Sequence, residues 1–177
     1  SDVVGIFSIF ESYIARRMIT KLPSNALNKI IATLFRDMKN IMNKEENRNI
    51  SVTDCINYLL MSKTNTAKLP TNDEVMESIK VNDFYNTNTA FRTYFFERLE
   101  NYGHVEALQI FSGIKNQEYS IEHIMPQKLS RQWIQDLGED YKRVHTTYLN
   151  SLGNLTITGY NSKYSNSSFE EKKTMKN

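Results

Sequence analysis

Two short runs, residues 119–124 and 154–158, read as strands and set the limits on what this chain can fold into. Each is rich in β-branched residues and alternates in polarity, the pattern of a half-buried strand. Between them lie two stretches of helical pattern, 130–137 and 140–149. After them, Ser167 or Ser168 is positioned to cap a last helix. Glu170 and Glu171 open that helix and Lys172, Lys173 and Lys176 follow, an order that suits the helix dipole. Strand, helical insertion, strand and helix define a small mixed unit at the C-terminal end.

Everything before it reads as helix. Gly5 is the only glycine in the first hundred residues, whereas Gly103, Gly113, Gly138, Gly153 and Gly159 punctuate the remainder. Val3, Ile6, Phe7, Phe10, Tyr13, Ile14 and Met18 mark an amphipathic first helix that ends before Pro23. Ser24 or Asn25 caps a second, with Leu27, Ile30, Ile31, Leu34, Phe35, Met38 and Ile41 on one face. A third covers 52–61, and Pro70 with a capping Asn72 introduces a short fourth over 73–79. Asn88 opens a fifth, whose Phe91, Tyr94, Phe95, Leu99 and Tyr102 form an aromatic stripe read as core. The Asn-rich loops 43–49 and 82–88 read as compositional bias. The expected organisation is a helical domain over 1–103 and a mixed domain over 104–177.

Bulk properties exclude several classes. Cys55 is the sole cysteine, so neither an intrachain disulfide nor a cysteine-built zinc site can form, and a reducing cytoplasm is expected. No apolar run approaches membrane-spanning length, and the first residues lack signal-peptide character, so no membrane partner is expected. Net charge is +2. Eight Lys/Arg and six Asp/Glu fall within 119–177, which therefore carries the whole excess. That permits a local phosphate contact but does not by itself argue for DNA binding.

The residues that carry chemistry sit on the two strands and just beyond them. Glu122-His123-Ile124-Met125-Pro126 combines a carboxylate and an imidazole at one strand end. Gly153-Asn154 opens the second strand, and Asn161 follows it. Hydrolysis of a phosphodiester needs an activated water and neutralisation of charge on the phosphate oxygens. An imidazole titrates near neutrality and suits a general base, the role read for His123. Glu122 offers a carboxylate and Asn161 an amide oxygen, a hard-donor set for Mg²⁺ or Mn²⁺ rather than zinc. The Asn154 amide can brace the loop carrying His123. Neighbours in an ideal strand point to opposite faces, so a kink or bulge is expected to bring Glu122 and His123 to one site. Each residue alone also has a structural reading: Asn154 as turn chemistry, Asn161 and Asn166 as helix caps, His123 as a strand histidine. His104 reads as a surface residue, His145 as structural, and Trp133 as a core anchor for the insertion. The ordered combination carries the functional reading.

These residues belong to longer segments with a resemblance. Residues 119–127, 152–163 and 165–173 closely resemble the C-terminal HNH domain of GmrSD-like proteins, bacterial type IV restriction enzymes and their phage-defence relatives. Residues 11–18 and 97–103 resemble the helical region that precedes that nuclease. The resemblance covers nearly the whole chain and is most specific at the nuclease core. It implies a mainly α fold ending in a ββα-metal (HNH, His-Me finger) unit with a helical insertion. It also implies a Mg²⁺-dependent DNA endonuclease or nickase acting on foreign, often modified, DNA. Typical members begin with a ParB-like nucleotide-dependent domain that nothing here matches, so the chain is expected to be a C-terminal part of a longer protein. On this basis His123 and Asn154 are the expected catalytic residues, and Glu122 with Asn161 or Asn166 the expected metal ligands. The short interval from Asn154 to Asn161 keeps Asn166 as a rival ligand. Lys128, Lys163, Lys172 and Lys173 are the expected nucleic-acid contacts. The competing reading is a degenerate HNH fold that serves only as a DNA-binding or regulatory module.

Overall fold

The computed structural model describes residues 2–159 and 166–174. Its elements are α1 (Val3–Ile19), α2 (Asn25–Met42), α3 (Val52–Met61), α4 (Asn72–Val81), α5 (Thr89–Glu100) and α6 (Ile110–Lys115), followed by β1 (Ser120–His123). Then come α7 (Arg131–Leu137), α8 (Tyr141–Tyr148), β2 (Leu155–Thr158) and α9 (Phe169–Thr174). The chain is thus mainly helical, with a two-stranded antiparallel sheet of β1 and β2. No described helix is long and apolar enough to cross a membrane. Residue contacts divide the chain into two compact units, Ser1–Ser78 and Ile79–Asn177.

The first unit packs α1 and α2 against α3. Tyr13, Ile30, Leu34, Cys55, Ile56, Leu59 and Leu60 form its buried core. Burial pushes the Cys55 thiol up from its ordinary pKa, which disfavours the thiolate. Arg17 carries no sequence signal for burial, yet it is almost fully buried. Its Nη1 donates to the Lys68 carbonyl at 3.1 Å and its Nη2 to the Pro23 carbonyl at 2.8 Å. One guanidinium therefore ties the end of α1 to two loops. The cap of α4 also differs from the expectation. Thr71 accepts from the Glu74 N–H through its hydroxyl while the Thr71 N–H donates to the Glu74 carboxylate. That reciprocal pair leaves Asn72 as the first helical residue, its Oδ1 accepting from Arg16 at 2.7 Å.

The second unit gathers around Phe84, whose ring meets Phe91, Phe95 and Phe96 with centroids 5.7, 4.9 and 6.3 Å away. Its N–H donates to the Asn150 carbonyl at 2.7 Å, so the loop before α5 is bonded to the loop before β2. The buried residues of α5 are Phe91, Thr93 and Phe96, which lie on more than one side of the helix. Of the expected stripe, Tyr94, Leu99 and Tyr102 are exposed, Tyr102 lying past the helix end. Asn88 does cap α5, accepting from the Phe91 N–H. The short α6, which packs on α5, lacks a sequence signal strong enough to stand out. Gly138 closes α7 at φ 72°, a left-handed conformation that disfavours a side chain there, and turns the chain into α8.

Removing the Arg17 side chain takes away two charge-assisted hydrogen bonds to loop carbonyls. Arg17→Ala is expected to lower stability by about 3 kcal/mol or more, since bonds to charged groups contribute roughly 1.5–3 kcal/mol each. Urea denaturation followed by circular dichroism measures this, and a loss below about 1 kcal/mol contradicts it.

Candidate active site

β1 and β2 pair in an unbroken register: Ser120 with Thr158, Ile121 with Ile157, Glu122 with Thr156 and His123 with Leu155. The pairing holds no bulge, and the chain bends at Ile124 and Met125, immediately after the last pair. A cleft of about 300 Å³ opens there, lined by Tyr85, Glu122, His123, Pro126, Lys128 and Asn166 among others. A strand end relaxes the alternation that holds neighbours to opposite faces, and both Glu122 and His123 line the one cleft.

Asn154 fixes that bend. It is buried at the end of a 3₁₀ turn, Leu152–Asn154, that leads into β2. Its Oδ1 accepts from the Met125 N–H at 2.7 Å, and its Nδ2 donates to the Met125 carbonyl at 3.0 Å and to the Leu149 carbonyl at 2.8 Å. The Asn154 carbonyl also accepts from the Ile124 N–H at 2.9 Å. The side-chain amide is thus spent on backbone that would otherwise be buried without partners. It acts on the loop after His123 rather than in the cleft, whose lining does not include it.

His123 is buried and held on two sides. Its Nε2 lies 3.0 Å from Asn150 Oδ1, and the Tyr85 ring packs across the imidazole with centroids 4.4 Å apart. Asn150 in turn donates through Nδ2 to Asp83 Oδ2 at 3.0 Å. No other hydrogen bond to the ring is found among the described residues. Asp83, Tyr85 and Asn150 are neighbours on the His123 side that the sequence reading misses. Asp83 and Tyr85 belong to the Asn-rich loop read as compositional, and Asn150 carries no more local signal than any turn asparagine.

Glu122 meets a different partner. Lys172 of α9 is buried, with Nζ 3.2 Å from Glu122 Oε1 and 3.0 Å from the His123 carbonyl. Its ammonium is thus held between the Glu122 carboxylate and the main chain of β1. The start of α9 is fixed by Ser168, whose N–H and hydroxyl hold the Glu171 carboxyl below its ordinary pKa. The Glu171 N–H returns a bond to the Ser168 hydroxyl, so Ser168 rather than Ser167 is the cap. Trp133 anchors the same region from the insertion: it is buried, its Nε1 donates to the Ser167 carbonyl at 3.0 Å, and its ring meets Phe169 edge-on.

The remaining expected residues fall in several places. Asn166 is exposed and lines the cleft with Glu122. Lys128 is exposed at the same cleft. Lys173 is exposed on α9 and pairs with Glu170 at 3.2 Å. Asn161 and Lys163 lie outside the described residues. His145 Nε2 donates to the Pro126 carbonyl at 3.0 Å, tying α8 to the loop after β1. Its ring is thereby committed to backbone, and His104 is an exposed loop residue.

An imidazole, a carboxylate, an amide and a lysine around one polar cleft are groups that can handle a phosphodiester, and comparison with known families assigns the chain to the nucleases. The family model for GmrSD restriction endonucleases, C-terminal domain, matches residues 69–177, more than half of the chain, and the chain belongs to that family. No curated protein and no solved structure matches it.

Asn154→Ala removes three hydrogen bonds from buried backbone. Unsatisfied buried groups cost about 1–3 kcal/mol each, so a loss of roughly 3 kcal/mol or more is expected by chemical denaturation. Retention of stability within about 1 kcal/mol would show that water replaces the amide and that the bend does not depend on it.

Proposed function

We propose that the cleft is the active site of a metal-dependent DNA endonuclease or nickase of the HNH type, acting on foreign, modified DNA in anti-phage restriction. On this reading β1, β2 and the segment containing α9 are the ββα-metal unit, and α7 and α8 are its insertion. The observation that carries the proposal is the meeting of Glu122, His123, Asn166 and Lys128 at one cleft in a chain of a restriction endonuclease family.

The donor set suits a hard cation. Among the described residues no three His, Cys, Asp or Glu side chains cluster, so the ion would rest on few protein ligands. Glu122 would supply a carboxylate oxygen, and Asn161 or Asn166 an amide oxygen, with water and substrate phosphate filling the shell of Mg²⁺ or Mn²⁺. Asn166 lines the cleft beside Glu122, which favours it. Bound there, the ion supplies charge neutralisation to the phosphate and the leaving oxygen. The protein's own groups do the rest. His123 takes the proton of the attacking water at Nδ1, the ring nitrogen not committed to Asn150. Lys128 at the cleft contacts a backbone phosphate. Asn154 keeps the loop beneath His123 in place, contributing to catalysis only through that position.

One observation favours the alternative of a catalytically inactive DNA-binding or regulatory module. The Lys172 ammonium occupies Glu122 Oε1, a place where a cation would be held, and an ammonium of this kind substitutes for metal charge without polarising water. The two readings separate on metal binding and turnover.

Plasmid nicking with Mg²⁺ or Mn²⁺ is the direct test. Cleavage is expected with either ion and is expected to vanish with EDTA. His123→Ala is expected to lower the rate by about 10²–10⁴-fold with DNA affinity retained, the usual effect of losing a general base. Metal-independent cutting, or a fully active His123→Ala protein, overturns the assignment.

The ligand question has its own experiment. Asn166→Ala is expected to raise the Mg²⁺ concentration required for half-maximal cleavage more than Asn161→Ala does. The reverse order moves the ligand to Asn161.

A further inference from the structure

The hydrogen bonds beyond His123 run in one direction. Asp83 accepts twice from Asn86, through the backbone N–H at 2.9 Å to Oδ1 and the side-chain amide at 2.8 Å to Oδ2. This small turn fixes the Asp83 carboxylate, and a carboxylate can only accept. The Asn150 atom facing Asp83 Oδ2 must therefore be the amide nitrogen, which leaves the amide oxygen toward His123. An amide oxygen also only accepts, so the facing His123 Nε2 must carry a proton. In the neutral ring the lone pair is then confined to Nδ1.

The backbone holds the same residues independently of these side chains. The Asn150 carbonyl accepts from the Phe84 N–H at 2.7 Å and the Tyr85 N–H at 3.3 Å, so the loop after α4 is bonded to the loop before β2. Tyr85 packs on the imidazole face, with the Arg92 guanidinium 4.9 Å from the Tyr85 ring centroid. The imidazole is held at its edge by Asn150 and on its face by Tyr85, with little freedom to turn.

We infer that Asp83 and Asn150 are positioning residues for His123: Asp83 orients the Asn150 amide, and Asn150 holds the imidazole as its Nε2–H tautomer, with Nδ1 bare for the proton of the attacking water. The catalytic consequence rests on the nuclease reading of the cleft, whereas the tautomer does not. When Nδ1 takes a proton, Nε2–H stays on the Asn150 oxygen, so Asn150 need not reorganise. Neither Asp83 nor Asn150 contacts substrate. Loss of such an orienting partner typically costs about 10–100-fold in activity.

Long-range ¹H–¹⁵N NMR of the histidine rings, assigned with His123→Gln, reads the tautomer in the full chain. The wild type is expected to show Nε2–H at His123. Asn150→Ala is expected to show a tautomer mixture and a kcat about 10–100-fold lower, with KM for DNA within about twofold. Asn150→Asp sets two carboxylates against each other and is expected to be at least as impaired. The double variant Asp83→Asn with Asn150→Asp restores a donor facing an acceptor, and the carboxylate introduced at position 150 still accepts from His123 Nε2–H. It is expected to recover to within about tenfold of wild type and to regain the single tautomer, a rescue that a merely structural role would not give. The bond lost at the exposed Asn86 amide is replaced by water. An Nδ1–H tautomer in the wild type, or a double variant no better than Asn150→Asp, overturns the inference. An Nε2–H wild type that never cuts DNA upholds the positioning and overturns the nuclease reading instead.

Discussion

The site hangs on the Asn154 side chain. A two-stranded sheet is marginal by itself, and here 31 residues separate its strands, including two helices with few buried residues. The Asn154 amide closes that excursion by bonding both sides of the Met125 residue and the Leu149 carbonyl. It therefore holds three points together: the exit of β1, the end of the insertion and the entrance to β2. The course of the chain just after His123, where the cleft opens, is held at Met125 by Asn154. An amide suits the position, because one planar group accepts from an N–H and donates through its two N–H bonds to two carbonyls.

Around that brace the second unit recruits distant sequence to its strand end. The loop after α4 brings Asp83, Phe84 and Tyr85, and the loop before β2 brings Asn150; main-chain bonds join the two before any side chain is considered. Phe84 then anchors the loop in the aromatic cluster of α5. From the other side, Trp133 bonds the Ser167 carbonyl and Ser168 caps α9, fixing the turn from which Lys172 reaches Glu122. The imidazole and the carboxylate are adjacent in sequence but are supported by different parts of the chain. His123 depends on residues 83–85 and 150, and Glu122 on α9.

The Glu122–Lys172 pair shapes what the cleft can do. A buried ion pair is weak evidence for stability, because desolvation offsets the attraction, but removing one partner leaves the other stranded. A cation at Glu122 would meet this ammonium either as a competitor for Oε1 or as a neighbour adding positive charge beside a phosphate. Lys172 is buried against Glu122, whereas Lys128 is exposed at the cleft.

The sequence by itself determined the elements and the chemical types. Hydrophobic spacing and caps define the major helices and both strands to within a few residues, since those signals are local. The Glu-His pair, Asn154 and the last helix are legible because their spacing follows the order of the elements that carry them. Tertiary structure decided which side chains meet. Lys172 reads as a nucleic-acid contact, with no sign of its partner Glu122, and Asp83 and Asn150 as ordinary loop residues, because burial and partnership are properties of surfaces brought together from far along the chain. The aromatic stripe of α5 departs from its expected burial for the same reason. Helical period says which residues share a face, but which of them are buried depends on contacts such as those of Phe84, which lies outside the helix. Arg17 is the parallel case in the first unit, its charge tolerated inside only because two loop carbonyls converge on it.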